Sequence, residues 1–314
     1  MRVFVTGATG HIGSPVVAEL LEAGHWVVGL ARSDQSAAAL ASAGAEVHRG
    51  SLDDLDSLSR GAAGADGVIH LAYRHDLSLD SDGYADAAAI DLRAVEAIGE
   101  ALAGSGKPFV VTSGTGRFGT EQDALETGSP PRPRIASENA AVALGGRGVR
   151  SSVVRLAPSV HSSLDHHGFI PRLIGIARRS RASAYVGDGS NRWAAVHTID
   201  AAHLYRMALE AAPAGSRLHG VGDEGVPFLD IAGAIGRHLD LPVISISRED
   251  ADARFGALST FVSSDLASSS ALTQKLLGWQ PVHPGLIADL EQGHYFEMAN
   301  AMAGRRADRG TRSR

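Results

Sequence analysis

A chain of 314 residues that is 44% hydrophobic and 20% charged has enough apolar side chains to bury a core, which excludes a disordered protein. It contains no cysteine, which excludes disulfides and thiolate catalysis. Its net charge of −6 excludes a strongly basic nucleic-acid surface on the body of the protein, and the arginine-rich segment 304–314 is expected to be a disordered basic tail.

The first predicted elements are a short strand and an amphipathic helix, with a glycine-rich turn between them. RVFVT (2–6) is rich in apolar residues, and 11–24 places apolar residues at helical spacing. The intervening TGATGHIG carries three glycines, which allow a tight turn and a close approach of the backbone to a pyrophosphate. The helix N-terminus adds free N–H groups and a positive dipole end. We therefore predict that this turn binds a dinucleotide through Gly7, Thr9, Gly10, His11, Ile12 and Gly13.

Strand-like and helical segments alternate along the next part of the chain. The strand-like runs are WVVGLA, AEVH, DGVIHLA, PFVVTS and VRSSVVRLA, at 26–31, 45–48, 66–72, 108–113 and 149–157. Helical segments such as 89–106 separate them, and strands joined by helical crossovers form a parallel sheet. The prediction is an α/β fold, a Rossmann-type doubly wound parallel sheet that binds ligands at the carboxyl ends of its strands.

A smaller lobe is predicted beyond residue 160. We expect residues 1–160, with a contribution from 185–215, to form the nucleotide-binding domain, and residues 161–303 to form mainly a C-terminal substrate-binding lobe. The elements predicted after residue 160 are helix 168–179, strand 217–222, helix 228–239 and strand 243–246.

The end of the second strand indicates which dinucleotide is bound. An acidic residue there would bind the adenine ribose 2′-hydroxyl, whereas this chain has Arg32 and Ser33, which offer a guanidinium and a hydroxyl to a 2′-phosphate. The pair predicts NADP(H) over NAD(H). A solvated arginine in a loop is the alternative interpretation.

Several motifs resemble the short-chain dehydrogenase/reductase superfamily, in its extended or atypical branch that includes NAD-dependent epimerase/dehydratase-like proteins. They are the glycine-rich turn, ARS after the second strand, HRGSLDDLDSL after the third, RLAPSVH (155–161) and YVGDGSNRWAAVHTIDAAHLY (185–205). The resemblance implies a Rossmann fold with NAD(P), and Ser51 replaces the aspartate that the family usually has near adenine. The cofactor contacts that it implies are Ser51 and Leu52 near adenine, Leu71 and Ala72 along the cofactor, Ser113, and Pro158, Ser159 and Val160 near the nicotinamide.

The catalytic residues of that family are replaced in this chain. The family uses a tyrosine with a lysine one helical turn later, and no Tyr-x-x-x-Lys occurs here. The resemblance places Arg134 at the tyrosine position, Glu138 at the lysine position and Gly114 at the serine position. Arg134 cannot donate a proton near neutral pH, because its pKa exceeds about 12. Two interpretations stay open: an i,i+4 ion pair with Glu138, or an arginine held by Glu138 in the cleft, where it binds a substrate carboxylate or a cofactor phosphate.

Hydride transfer to a carbonyl or imine still needs a proton donor or a group that polarises the oxygen. The loop after the fourth strand supplies Tyr73 and His75, with Asp76 beside them, and Ser113 and Thr115 close the fifth strand. The candidate catalytic residues are therefore Tyr73, His75, Ser113 and Thr115.

Four further residues are candidate substrate contacts: Arg134, His161, Phe169 and His197. His70 lies on an apolar strand and is expected in the core. No metal site is predicted, since the clustered histidines lack a motif such as H-E-x-x-H.

The main functional hypothesis is a cytoplasmic, NADP-dependent oxidoreductase of the atypical short-chain type, acting on a carbonyl, imine or alcohol of a small-molecule substrate. A regulatory protein that binds NADP(H) without turnover is one alternative, because the family's catalytic residues are missing. An epimerase/dehydratase-like isomerase or lyase is another. No apolar run approaches about 20 residues, so a membrane is not an expected partner. The net charge makes nucleic acid an unexpected partner as well. A homodimer stays open.

Overall fold

A computed structural model describes residues 1–75, 81–124 and 134–297. The strands are β1 (Arg2–Thr6), β2 (Trp26–Ala31), β3 (Glu46–Arg49), β4 (Gly67–His70), β5 (Pro108–Gly114), β6 (Arg150–Leu156), β7 (Ser159–His161), β8 (Ser183–Val186), β9 (Arg192–His197), β10 (Ser216–Gly220), β11 (Asp223–Pro227) and β12 (Val243–Ile246). The helices are α1 (Gly13–Glu22), α2 (Asp34–Ser42), α3 (Leu55–Ala63), α4 (Ser81–Leu102), α5 (Ile135–Ala143), α6 (Phe169–Ser180), α7 (Thr198–Ala211), α8 (Phe228–Leu239), α9 (Ala251–Phe255), α10 (Ser259–Val262), α11 (Ala271–Leu277) and α12 (Leu286–Glu291).

Seven parallel strands form the central sheet, in the order β10-β6-β5-β4-β1-β2-β3. The order reverses direction between β1 and β4, because β2 and β3 extend the sheet on one side and β4, β5 and β6 on the other. A ligand crevice lies at such a switch point, outside the carboxyl ends of the strands. The glycine-rich turn after β1 and the segment after β4 flank this crevice.

Both faces of the central sheet are covered, which explains the continuous apolar runs of its strands. Val3 and Val5 face a core that includes Leu20 of α1 and Leu204 of α7. Phe4, between them in β1, points to the opposite face and joins the core that contains Leu58 and Ile98. Burial of alternate side chains on opposite faces follows from the period of two along a strand.

The second part of the chain forms its own core around two small sheets, β11-β9-β7 and β12-β8. Its largest fully buried side chains are Trp193 on β9 and Phe228 at the start of α8. Their rings meet edge to face, with centroids 5.1 Å apart. This lobe lies beside the carboxyl edge of the central sheet, because β7 follows β6 after only two residues.

The predicted fold class is confirmed, with several differences in detail. The predicted helix 89–106 is the later part of α4, which ends at Leu102 before two glycines with positive φ, Gly104 and Gly106. The predicted strand 217–222 is β10 and lies in the central sheet, beyond the segment 185–215 that was expected to contribute to that domain. The predicted tail 304–314 and Asp76 lie outside the described residues.

Within the described ranges, we find no helix with the length and apolar composition that a bilayer crossing requires. The domain boundaries drawn from the sequence stay predictions.

Candidate active site

The glycine-rich turn after β1 is packed too closely for side chains. A Cβ on Gly13 would lie 2.0 Å from the carbonyl oxygen of Gly7, and a Cβ on Gly7 would lie 2.7 Å from the backbone nitrogen of Ala72. Gly7 also has a φ of +67°, which favours glycine. The N-terminus of α1 has no side-chain cap. A bare backbone turn that leads into a helix N-terminus fits a dinucleotide pyrophosphate, as the sequence predicted.

The other predicted residues of this turn differ in their surroundings. Thr9 and Gly10 are exposed, and Ile12 packs against the core of the sheet. The side chain of His11 turns towards α7, where its Nε2 lies 2.8 Å from Thr198 Oγ1. Burial lowers the pKa of His11, so it adds no positive charge to the turn at neutral pH.

The predicted adenine end lies at the carboxyl ends of β2 and β3. Arg32 and Ser33 are exposed, and the Ser33 hydroxyl also caps α2 by accepting a hydrogen bond from the Ser36 N–H. Ser51 is half-buried and Leu52 is buried. These positions are consistent with adenosine recognition, and the contacts themselves stay predictions.

The other predicted cofactor contacts follow β4 and β6 in the chain, and their contact with a cofactor stays a prediction: Leu71, Ala72, Pro158, Ser159 and Val160. Leu71 and Ala72 adjoin Gly7, and Pro158 and Val160 are half-buried. The hydroxyl of Ser159 is buried without a hydrogen-bond partner. Buried polar atoms are rarely left unpaired in native proteins, so this hydroxyl is available to a ligand.

Further unpaired polar atoms lie around the segments that follow β4 and β5. They are buried and have no hydrogen-bond partner: Tyr73 Oη, Asp91 Oδ2, Thr115 Oγ1, and Nε and Nη2 of Arg134. Each such atom costs about 1–3 kcal/mol if nothing pairs with it. These atoms are therefore buried polar groups, donors and an acceptor, that have no partner within the protein.

Tyr73 and Arg134, which the sequence predicted as separate candidates, are in contact. The guanidinium carbon of Arg134 lies 4.3 Å from the centroid of the Tyr73 ring, within the range of a cation–π interaction. Arg134 Nη2 also lies 3.8 Å from Asp91 Oδ1. Burial raises the pKa of Tyr73 to about 12, although the charge of Arg134 opposes the shift. The phenol is thus protonated across the physiological range.

The expected pairing of Arg134 with Glu138 is wrong. Glu138 is buried and accepts hydrogen bonds from Arg155 Nε at 3.1 Å and from Arg217 Nε at 2.8 Å. Burial acts to raise the pKa of Glu138, but the hydrogen bonds and charge of Arg155 outweigh it and hold that pKa below its usual value. Both partners lie on strands, β6 and β10, that approach α5 only in the folded chain, so the i,i+4 rule could not identify them.

The fully buried guanidinium of Arg155 is enclosed on another side as well. It stacks on the Phe118 ring, with 3.9 Å between the guanidinium carbon and the ring centroid. Glu138, at the position of the family's lysine, is therefore part of a structural ion-pair cluster and not of the free polar surface of the cleft.

His70 is in the core, as predicted, but it is not an isolated polar group. Its Nδ1 lies 2.8 Å from Thr6 Oγ1, and its Nε2 lies 3.3 Å from Asp91 Oδ1. Thr6 Oγ1 in turn accepts hydrogen bonds from the N–H groups of Leu71 and Ala72. Asp91 could not be identified from the sequence, because a single aspartate in an amphipathic helix carries no pattern of its own.

The other candidate catalytic residues, His75, Ser113 and Thr115, differ in how far they are buried. His75 is exposed, and its ring centroid lies 5.0 Å from that of Tyr73. Ser113 is buried at the end of β5, and Thr115 is buried with its hydroxyl unpaired. Thr115 therefore remains available as an oxygen-polarising donor, a role that stays a prediction.

The predicted substrate contacts on the lobe side divide into two groups. Phe169 packs against Trp193 and Phe261 inside the lobe, with ring centroids 5.4 Å and 4.9 Å away. His161 is fully buried, and its Nδ1 lies 2.9 Å from Asp289 Oδ2. These contacts account for Phe169 as a packing residue, whereas the buried Nε2 of His161 has no hydrogen-bond partner. Contact of either side chain with a substrate stays a prediction.

His197 is half-buried at the end of β9. It stacks on His283 with 4.8 Å between ring centroids, and burial lowers its pKa. Across the part of the chain that the structure describes, no group of three or more histidine or carboxylate side chains is arranged to hold a metal ion.

The parallel sheet, the side-chain-free turn and the polar cleft define a protein of the dinucleotide-binding α/β class. The chain belongs to the NAD dependent epimerase/dehydratase family, whose sequence model matches residues 3–219. The predicted resemblance to the short-chain dehydrogenase/reductase superfamily is thereby confirmed.

Two fungal proteins and one solved structure illustrate the similarity. An uncharacterized protein of Schizosaccharomyces pombe is 49% identical over 302 residues, covering 94% of this chain and 100% of that protein. An uncharacterized protein of Saccharomyces cerevisiae is 44% identical, covering 94% and 99%. The crystal structure of dTDP-glucose 4,6-dehydratase from Streptomyces venezuelae, with NAD and TYD bound, has a TM-score of 0.76 at 18% identity, covering 96% of this chain and 98% of that chain.

The ion-pair cluster leads to a stability prediction. Glu138→Gln leaves the Arg155 charge buried without its main counter-ion, and we expect the free energy of unfolding to fall by about 3–5 kcal/mol. Glu100→Gln, which breaks an exposed pair with Arg147, should cost less than about 1 kcal/mol. Urea unfolding of both variants at neutral pH measures the difference.

The pH dependence provides a second check on the same variant. The folded-state pKa of Glu138 is held below its unfolded value of about 4.3. The ionised Glu138 side chain therefore adds to the free energy of unfolding above that pH, and this stabilisation is lost as pH falls through the lower, folded-state pKa. Equal, small losses for Glu138→Gln and Glu100→Gln would contradict the assignment.

Proposed function

We propose that the protein is an NADPH-dependent oxidoreductase that reduces a carbonyl or imine of a small-molecule substrate. The observation that supports it most is the Tyr73–Arg134 contact, which joins a protonated phenol to a permanent positive charge. The family's usual tyrosine and lysine are absent from their positions. A tyrosine from the loop after β4 and a cation from the start of α5 supply the same two chemical groups from different places in the chain.

In this proposal Tyr73 is the proton donor. A reduced nicotinamide supplies the hydride when it is bound, and negative charge then develops on the substrate oxygen. A phenol with a pKa of about 12 remains protonated at neutral pH and is more acidic than an alcohol, so it can protonate that oxygen. The same raised pKa means that very little phenolate is present at neutral pH.

Arg134 provides charge stabilisation and orientation. Its Nε–H and Nη2–H groups are free to donate to a substrate oxygen, and its charge is fixed at any physiological pH. Placed over the Tyr73 ring, the guanidinium also stabilises the phenolate that remains after proton transfer. Preorganised donors of this kind act where charge develops in the transition state.

The preference for NADP(H) belongs to the same proposal. Arg32 follows β2 directly, and Arg49 at the end of β3 is in register with Ala31 of β2. Arg49 Nη2 lies 2.7 Å from Asp34 Oδ1, so Arg32 is the exposed guanidinium at the strand end where the family places the adenosine ribose. Arginine binds phosphate through two parallel hydrogen bonds, so this edge suits a 2′-phosphate. The cytoplasmic location expected from the composition is also part of this proposal.

Nucleotide preference is tested by calorimetric titration with NADPH and NADH. We expect NADPH to bind at least tenfold more tightly, because a charge-assisted hydrogen bond contributes about 1.5–3 kcal/mol. Arg32→Ala should weaken NADPH binding about tenfold or more and leave NADH binding unchanged. Arg93→Ala, at an exposed arginine on α4, is the matched control. Equal affinities for the two nucleotides in the unaltered protein would overturn the preference.

The role of Tyr73 is tested with a panel of ketones, aldehydes and imines, followed by loss of NADPH absorbance. With the best substrate, Tyr73→Phe should lower kcat by about 10²- to 10⁴-fold, the usual contribution of a general acid. NADPH affinity should change less than twofold, since the glycine-rich turn is untouched. Tyr185→Phe, in the lobe, should behave like the unaltered protein.

Two outcomes count against this function. Full activity of Tyr73→Phe would remove Tyr73 from the chemistry. NADPH binding without turnover of any member of the panel would favour the regulatory alternative.

A further inference from the structure

We propose that Asp91, oriented by His70, is a positioning residue that holds the Arg134 guanidinium over Tyr73 while leaving its hydrogen-bond donors free. This inference rests on the proposed function, because the site that it positions is the proposed reductase site. It concerns a residue of α4 that no sequence motif indicated.

Asp91 is an almost completely buried carboxylate, with 1% of its side chain exposed. Burial acts to raise its pKa, but the His70 hydrogen bond and the charge of Arg134 outweigh burial and hold the pKa below its usual value. Asp91 is therefore ionised at neutral pH. A buried negative charge must be balanced, or it costs several kcal/mol.

His70 is a second partner of Asp91, and its own hydrogen bonds fix the position of its ring. Thr6 Oγ1 accepts from the N–H groups of Leu71 and Ala72, so its own hydrogen is left to donate to His70 Nδ1. An imidazole that accepts at Nδ1 has its donor on Nε2. His70 Nε2–H then donates to Asp91 Oδ1 and fixes the orientation of that carboxylate.

Arg134 is the permanent cation beside Asp91. Its Nη2 lies 3.8 Å from Asp91 Oδ1, which is beyond hydrogen-bond distance but close enough for strong attraction in a buried site. The guanidinium is held by charge without using its Nε–H and Nη2–H groups, both of which stay unpaired.

Two other arginines of the chain show how different this arrangement is. Arg155 uses its Nε and Nη2 edge to bind Glu138, and Arg192 uses the same edge to bind Asp265. In both cases a carboxylate accepts the hydrogen bonds of these donors. Arg134 presents the same edge, buried and free, which is what a substrate oxygen or a substrate carboxylate needs.

The same hydrogen-bond chain also fixes the segment that carries Tyr73. The N–H groups of Leu71 and Ala72 that bind Thr6 directly precede Tyr73, and Thr6 directly precedes Gly7 of the glycine-rich turn. The charged groups that act on the Tyr73 phenol are Arg134 and Asp91, with Tyr84 as a further titratable group and the His75 ring beside it. Asp91 thus joins the acid, the cation and the nucleotide-binding turn through its contacts with Arg134 and His70.

The test is a double-mutant cycle with Asp91→Asn and Arg134→Gln, measured with NADPH and the best substrate of the carbonyl panel. Asp91→Asn preserves the shape of the side chain and removes its charge. We expect kcat to fall at least tenfold, because small displacements of a catalytic group cost up to about 10²-fold. NADPH affinity should stay within twofold. Because Asp91 acts through Arg134, the double variant should be no worse than the poorer single variant by more than twofold.

A second readout does not depend on activity. The Nε–H of Arg134, identified in NMR spectra by its loss in Arg134→Lys, should exchange slowly with water in the unaltered protein. It should exchange at least tenfold faster in Asp91→Asn and remain unchanged in Glu96→Gln, which removes an exposed carboxylate from the same helix. Asp91→Glu keeps the charge and shifts it by one methylene, so it serves if Asp91→Asn does not fold, and partial loss of protection is expected.

Additive losses of kcat in the double-mutant cycle would overturn the inference. An Arg134 Nε–H that exchanges at the same rate in Asp91→Asn as in the unaltered protein would also overturn it. If the unaltered protein binds NADPH but reduces nothing, the proposed function fails, and the exchange rate of the Arg134 Nε–H still decides whether Asp91 holds this guanidinium.

Discussion

The close contact between the glycine-rich turn and the segment after β4 determines where the rest of the site lies. Gly7 approaches Ala72 so closely that a single methyl group would clash. This contact brings the ends of β1 and β4 together at the switch point of the sheet. The chain that follows β4 must then run along the cofactor crevice, which places Tyr73 at the edge of the proposed reaction site. The nucleotide-binding turn and the proposed acid are thus products of one steric constraint.

Charge distribution explains how the chain accommodates the residues that replace the family's tyrosine and lysine. The carboxylate at the lysine position, Glu138, is balanced by Arg155 and Arg217 in a buried cluster. The cation at the tyrosine position, Arg134, lies beside a different buried carboxylate, Asp91. Each ion is matched by a partner from a distant part of the chain, so exchanging one residue alone would leave a buried charge unpaired. Restoring the usual tyrosine and lysine therefore requires several coordinated substitutions.

The sequence was informative wherever function depends on local pattern. The glycine spacing, the apolar strands and the helices at 168–179 and 228–239 were predicted from periodicity and were found. Tyr73 and Arg134 were identified as candidates, but their contact was not, because it joins segments that are about sixty residues apart. The partner of Glu138 was predicted wrongly for the same reason. Asp91 and the place of β10 in the central sheet depend on tertiary packing, which local patterns do not record.

The most direct test of this account is a crystal structure of the protein with NADPH bound. We expect the pyrophosphate at Gly7 and Gly13, the 2′-phosphate at Arg32, and the nicotinamide beside a pocket lined by the Tyr73 hydroxyl and the Nε–Nη2 edge of Arg134. A nicotinamide ring that lies away from Tyr73, with that side chain still buried beneath Arg134, would contradict the assignment of the acid. A nucleotide bound outside the glycine-rich turn would contradict the whole account.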